Sequence, residues 1–397
     1  MNIAIDAAPL YHGIAGISIY PKGLIQGLAT IDSGNNYFIY GGRQGFFPSK
    51  EWEKILLDSE EMARHPNFHL VVSRAPKRFS AILNLLPVEF YIGVKDIDIY
   101  HATSFLLPRK TRKTTKKIVT IHDLSFEVNI GWYPQEVYSQ KWRDAVRKSA
   151  EIADKIIAPS QSTKKDITSI YGISPDRVEV IPEAALDIFS EPYDKRRAEY
   201  VKNLYHLPDN YILAVGRIEK RKNFTAILDA LKLLKNNLNA AVPKLVIAGN
   251  DGYGSSEFYK HLAKSGLSDD VLIYKYLPME DLPVFYREAR MFVFPSLYEG
   301  FGLPILEAFA SGCPVICSER TSMKEVAVGE EEGGEEKSAI LVNPDSPTQI
   351  ADAIMRLLAD ENLRDFYIKK GKERSRKFTW ESAARSTLEI YKSVLSR

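Results

Sequence analysis

The sequence predicts an α/β protein of two domains, each a parallel sheet with helices between its strands. Three observations carry this. A chain of 397 residues is too long for one ordinary domain, and two α/β domains are the natural division. The stretch Met291–Ser318, MFVFPSLYEGFGLPILEAFASGCPVICS, reads as strand, loop, helix and strand in one window. The N-terminus repeats the pattern, with an apolar strand over residues 2–7, a loop bearing Gly13 and Gly16, and then Tyr20, Leu24, Ile25 and Leu28 at helical spacing.

The central stretch carries the chemistry. Met291-Phe292-Val293-Phe294 has the length and content of a buried strand, and Pro295 and Ser296 stop it. Glu299-Gly300-Phe301-Gly302 forms a glycine-bracketed loop. Pro304 stands where a first helical turn tolerates proline, and Gly312 is placed to end the helix. Backbone N–H groups at such a helix start, at the mouth of a parallel sheet, favour an anion, usually a phosphate ester. Glu299 and Glu307 flank that start with seven residues between them. Glu307 could simply complement the helix dipole, worth a few tenths of a kcal/mol, but Glu299, between a tyrosine and a glycine, has no such role. Carboxylates that accept from hydroxyls beside N–H groups that face phosphates describe a pocket for a nucleotide sugar.

Bulk properties exclude several classes. Apolar residues make up 45% and charged residues 26%, as in a globular protein with a sizeable core. A formal net charge of +2 argues against a general nucleic-acid binder. Cys313 and Cys317 form neither a disulfide framework nor a metal site, which fits a reducing cytoplasm. The opening MNIAIDAAPL has no basic region ahead of a long apolar stretch, and nowhere do about 18 apolar residues run together, so neither a secretory signal nor a membrane span is expected.

The Glu-x7-Glu spacing inside EGFGLPILEAFASGCPVI resembles the signature of the retaining glycosyltransferases of family 4, which have the GT-B fold. The resemblance implies two Rossmann-like domains facing an interdomain cleft, with the donor bound mainly by the second and the acceptor by the first. The divisions expected are residues 1–186, a linker over 187–205, a nucleotide-sugar domain over 206–376, and a terminal helix within 377–397 that crosses back to the first domain. The reaction implied moves a sugar from a nucleoside diphosphate to a glycan or lipid-linked acceptor with retention, without a metal or other cofactor. In the front-face scheme commonly drawn for this chemistry, the leaving phosphate helps to deprotonate the acceptor hydroxyl.

In chain order, the loop with Gly13 and Gly16 is, by resemblance, the one that lies against the donor diphosphate, although Gly16-Ile17-Ser18-Ile19-Tyr20 lacks the arginine often found there. Short strands are expected at residues 37–40, 69–72 and 98–101, and one over 117–121 ends in His122-Asp123, a ligand-binding rim position. A histidine capping a turn is the plainer alternative; the resemblance places His122 beside the donor sugar, with His101 a weaker counterpart. A long helix is expected over 135–153, a strand over 154–159 and a helix through Tyr171. After Ile181-Pro182 this chain has Glu183, where relatives commonly have asparagine or glycine. The second domain opens with the strand Tyr211–Val215 and then Gly216-Arg217-Ile218-Glu219-Lys220-Arg221-Lys222. A charge run is often only a solvated face. The Gly-Arg-x4-Lys spacing, though, matches the family's diphosphate clamp and singles out Arg217 and Lys222, leaving Lys220 and Arg221 to the surface. By resemblance the nucleobase meets the backbone around Tyr276-Leu277-Pro278, Phe301, Gly302 and Leu303 lie at the donor, and Glu299 and Glu307 hold sugar and ribose. GEEEGGEEK at 329–337 reads as a flexible acidic loop rather than a metal site.

The openings IDAAPL and IHDLSF lean toward bacterial mannosyltransferases of surface-polysaccharide assembly, which makes GDP-mannose the expected donor and UDP-glucose or another UDP-sugar the runner-up. Two other classes share the pocket: a GT-B sugar-nucleotide epimerase, which needs no acceptor, and a non-catalytic nucleotide-sugar-binding protein, which never turns over. Lys77 and Arg78 ahead of an apolar segment over 79–94, and six cations without an acidic residue over 109–117, raise peripheral contact with an anionic membrane beside the plainer reading of a buried helix and a solvated loop.

Overall fold

The computed structural model describes residues 1–11, 16–41, 65–71, 87–94, 96–108, 110–237, 242–331 and 334–396. Two compact units emerge. The first comprises residues 1–124, 139–183 and 379–397, and the second residues 125–138 and 184–378.

The first unit is built on β1 (Asn2–Asp6), β2 (Asn36–Tyr40), β3 (Phe68–Val71), β4 (Ile99–Ala102), β5 (Lys116–Thr120), β6 (Lys155–Ala158) and β7 (Val178–Val180). They form one sheet in the order β3-β2-β1-β4-β5-β6-β7, and every pairing is parallel. Parallel strands covered on both faces must be apolar throughout, and Ile3, Ile5, Ile99, Ile118, Val119, Ile156 and Ile157 are fully buried. All seven strands run the same way, so the loops that follow them collect along one edge, where α/β sheets bind ligands. The helix Ile19–Ile31 exposes Gly23 and Gly27 to the terminal helix Trp380–Leu395. A Cβ on Gly23 would stand 2.0 Å from the Trp380 indole, and one on Gly27 would stand 2.4 Å from the Trp380 carbonyl oxygen. Only glycine allows that approach. The terminal helix is further tied in by its Tyr391 hydroxyl, 2.7 Å from His101 Nδ1.

The second unit has β8 (Tyr211–Val215), β9 (Lys244–Ala248), β10 (Val271–Tyr274), β11 (Met291–Phe294), β12 (Val315–Ser318), β13 (Val328–Glu331), β14 (Gly334–Lys337) and β15 (Ile340–Val342). Six of them make a parallel sheet in the order β10-β9-β8-β11-β12-β15. Ile212, Leu245, Ile247, Met291 and Ile316 from the sheet pack with Ile227 and Leu231 of the helix Phe224–Asn237 and with Ile350 and Ile354 of the helix Pro347–Ala359.

Three expectations differ from what is observed. The segment expected as a linker, 187–205, contains the helix Lys195–Tyr205, which buries Ala198 and Val201 in the second unit. With only these two apolar side chains turned inward, its charged surface disguised the helix. The long helix expected over 135–153 begins only at Gln140, and 125–138 goes with the second unit. The acidic stretch expected as a flexible loop forms an antiparallel hairpin, β13 with β14. Gly13 and most of the segment 77–94 lie outside the described residues, although Val88–Ile92 is a short helix. Among the described residues, no helix is long and apolar enough to cross a membrane.

Candidate active site

The loops after β8 and β11 build the main cluster of charges. After β8 the chain passes through Gly216 at φ +133°, a conformation only glycine adopts readily, and then makes a 3-10 turn over Lys220–Lys222. A Cβ at Gly216 would crowd the Lys222 side chain at 3.1 Å, so the bare backbone gives that stem room to lie across it. Lys222 is buried, with its ammonium 4.7 Å from the centre of the Phe294 ring and 2.7 Å from Glu299 Oε1. Arg221 donates to Glu299 Oε2 at 2.8 Å, to Glu219 at 2.9 Å and to the Tyr298 carbonyl at 2.7 Å.

Glu299 is thus held from both oxygens. Burial is the strongest influence on its carboxyl and would raise it, but Arg221 and then Lys222 overcome that and hold it at about 2. Its backbone is held as well, because Ser322 Oγ donates to the Glu299 carbonyl at 2.8 Å. Asn223, in the left-handed conformation that asparagine tolerates, donates to the Pro295 carbonyl at 3.2 Å and the Pro344 carbonyl at 2.8 Å. One side chain therefore fastens together the loops after β8, β11 and β15.

The helix Leu303–Ser311 begins at Gly302, φ +112°, and ends at Gly312 in the left-handed conformation. Its Glu307 is buried and accepts from the Tyr286 hydroxyl at 2.9 Å. Burial pushes the Glu307 carboxyl up to about 7; the Tyr286 bond and the charge of Lys222 oppose this without cancelling it. The two carboxylates chosen from the sequence are therefore unlike. Glu299 is a fixed anion locked to two cations, and Glu307 is a carboxyl poised near neutrality.

In the first unit, His122 follows β5 and Glu183 follows β7 on the same sheet edge. His122 Nδ1 lies 3.0 Å from Glu183 Oε1 and Nε2 lies 2.8 Å from the Thr103 carbonyl, with all of these groups buried. Tyr20 and Phe105 pack edge-on against the ring.

The chain has known relatives. Residues 196–374 match the model of the glycosyl transferases group 1, and residues 16–184 match that of glycosyltransferase family 4. The chain belongs to the family 4 glycosyltransferases. It is 27% identical to the O-antigen chain mannosyltransferase B of Escherichia coli over 99% of this chain and 100% of the relative. It is 31% identical to the serotype-specific mannosyltransferase WbdA of the same organism over 79% of this chain, which spans 38% of that longer protein. Among solved structures, sucrose-phosphate synthase of Thermosynechococcus elongatus superposes with a TM-score of 0.70 at 20% identity, covering 100% of this chain and 99% of that one. Anabaena HepE, solved with UDP, gives 0.67 at 15% identity, covering 99% and 100%. Both likenesses concern the fold, which is GT-B.

The glycosyltransferase brings some expected site residues together and leaves others apart. Lys222 and Glu299 are in contact, and Glu307 feels the charge of Lys222. Arg217 is exposed and, among the described residues, donates to the Asp251 carbonyl at 3.4 Å. Leu277 is half-buried, beside a Tyr276 whose N–H is held by Asn250 Oδ1 at 2.6 Å. Phe301 and Leu303 are buried, and Gly16 has φ +90°. Arg221, expected at the surface, is instead a partner of Glu299, whereas Lys220 is largely exposed and pairs with Glu257 at 3.0 Å. Tyr286 and Asn223 were not singled out from the sequence. The only signal for Asn223 was its place at a helix start, and none pointed to Tyr286.

Proposed function

We propose that this glycosyltransferase moves mannose from GDP-mannose, with retention, to a glycan or lipid-linked acceptor in surface-polysaccharide assembly. The buried Lys222–Glu299–Arg221 cluster at the sheet edge, next to the start of the helix Leu303–Ser311, carries the transfer reading. The two Escherichia coli mannosyltransferases support the choice of sugar. Arg217 and Lys222 oppose the charge that grows on the departing diphosphate, together with the N–H groups near Gly302 and Leu303. Glu299 positions the sugar, Glu307 accepts from the ribose, Leu277 and Phe301 line the nucleotide, and His122, Gly13 and Gly16 serve the donor. No enzyme nucleophile is required. These cations take the place of a divalent metal, so a chelator leaves transfer intact.

Thermal shift against a panel of nucleotide sugars tests the donor, since a ligand at a hundred times its Kd stabilises by about 2.7 kcal/mol. GDP-mannose raises Tm and supports transfer to a mannan-type acceptor. Stabilisation by a UDP-sugar alone overturns the donor, formation of nucleotide-sugar isomers without acceptor points to an epimerase, and binding without turnover on any acceptor points to a binding protein. Residence at the inner face of the plasma membrane belongs to the same proposal. Arg112 and Lys116 spend part of their charge on Asp96 and Asp154, at 3.6 and 3.8 Å, so the attraction rests on the remaining cations. Flotation with anionic vesicles at low salt measures it, and the absence of lipid-dependent binding refutes it.

A further inference from the structure

Glu183 was noted in the sequence only as a departure from the residues common at its position. In the fold it lies at the end of β7, 4% exposed, and reaches across to the His122 ring beyond β5. Its partner's other nitrogen faces the Thr103 carbonyl. That carbonyl belongs to a fixed turn, for the Thr103 hydroxyl donates to the Asp6 carbonyl at 2.5 Å at the end of β1. A second anchor holds the His122 backbone, where Thr163 Oγ1 donates to its carbonyl at 3.3 Å. Main chain and ring are both clamped, by Glu183 after β7, Thr103 after β4 and Thr163 in the first turn of the helix Gln161–Tyr171.

The two ring contacts are read through what each partner can do. A carbonyl oxygen only accepts, so Nε2 must carry hydrogen. An ionised carboxylate also only accepts, so Nδ1 must carry hydrogen as well. We propose that Glu183 is a positioning residue that holds His122 as an imidazolium with both N–H groups committed to protein acceptors, so that His122 serves transfer as an oriented cation and not as a base. This rests on the transfer reading above and deepens it. A ring without a lone pair cannot take the acceptor's proton. The balance of the step then requires that proton to go to the departing diphosphate oxygen, as the acceptor oxygen bonds the anomeric carbon and the anomeric C–O bond breaks toward phosphate.

The charged and titratable groups around the ring agree with this. Burial alone would push the imidazole down, but the bond to Glu183, its charge, the Thr103 contact and Asp123 together raise it. Tyr20, edge-on at 5.1 Å, is pushed well above its usual range by burial and stays a neutral phenol. His101, the other histidine nearby, is driven down to about 3 by burial and by the charge of His122, so it is neutral and adds no competing cation.

The test reads the ring directly. Nitrogen-15 NMR of histidine-labelled, ligand-free enzyme at pH 7, with the His122 signals assigned by their loss in His122→Gln, is expected to show hydrogen on both ring nitrogens. Glu183→Gln is expected to leave Nδ1 as a bare acceptor, with kcat for transfer at least tenfold lower and donor KM changed less than threefold. Glu183→Asp is expected to restore the doubly protonated ring and part of kcat. A singly protonated His122 in the wild-type enzyme overturns the proposal, and so does a Glu183→Gln variant with unchanged ring protonation or unchanged kcat. The NMR result needs no donor, so a wrong choice of nucleotide sugar leaves it standing and is detected separately by the donor panel.

Discussion

Replacing Glu307 by glutamine should make the ligand-free enzyme more stable and less able to bind its donor. Burial raises the Glu307 carboxyl from 4.5 to about 7, because an ionised carboxylate there has lost its water and gained only the Tyr286 hydroxyl and a distant share of Lys222. A shift of that size corresponds to about 3 kcal/mol at 1.36 kcal/mol per pH unit. The sign follows from proton counting. Below 4.5 both the folded and unfolded chains hold the proton, and the carboxyl costs nothing. Between 4.5 and about 7 the unfolded chain releases it while the native one retains it, so stability falls as pH rises. Above 7 the whole penalty is present. Glutamine matches the protonated acid in shape and keeps an acceptor for Tyr286, yet does not titrate. The variant should therefore match the wild type in Tm at pH 4 and exceed it by about 5 °C or more at pH 8.5, taking roughly 2–4 °C per kcal/mol for a unit of this size. Scanning fluorimetry at the two pH values reads this difference. Donor affinity should drop about tenfold, since a hydrogen bond to a charged acceptor is worth about 1.5–3 kcal/mol. An equal Tm offset at both pH values would refute the reasoning, because Glu307 would then not be the group that titrates in that window.

Glu299 should behave oppositely. Held at about 2, it contributes stability that is present above 4.5 and lost as pH falls through 2, and Glu299→Gln should destabilise at pH 7 by about 3–5 kcal/mol in urea melts by leaving two buried cations without their anion. Lys222→Ala should cut turnover about a hundredfold while weakening donor binding much less, and Lys220→Ala, removing only the exposed pair with Glu257, should change neither in steady-state kinetics. Gly27→Ala should cost about 1–3 kcal/mol, seen as a lower Tm, because its methyl group meets main-chain atoms of Trp380 that cannot step aside.

The strands were legible because buried parallel strands are continuous apolar runs: Tyr211–Val215 and Met291–Phe294 coincide with the expected bounds. The helix within the central stretch, punctuated by Pro304 and Gly312, was equally plain. Arg221 was hidden by an assumption about direction. Lys220 and Arg221 were left to the surface together, but a 3-10 turn has three residues per turn and sets successive side chains about 120° apart. Lys220 consequently points to Glu257 while Arg221 and Lys222 both reach Glu299. The partnership of His122 with Glu183 lay beyond local reading for another reason. Sixty-one positions separate them, and only the strand order β5-β6-β7 brings their loops to one edge.

The glycine face of the Ile19–Ile31 helix also has a consequence in time. Its cover, the helix beginning at Trp380, is translated only after residues 184–378, nearly all of the second unit, have been made. At about 5–20 residues per second, those roughly 200 residues take about 10–40 s. Through that interval the first unit has its sheet but not its last helix, and Gly23, Gly27 and the apolar side chains around them face water or whatever else binds there. The second unit, begun later, is fully translated before that helix is made. The half of the enzyme synthesised first is therefore the half completed last, and a nascent-chain chaperone would find its target on the bare side of that helix.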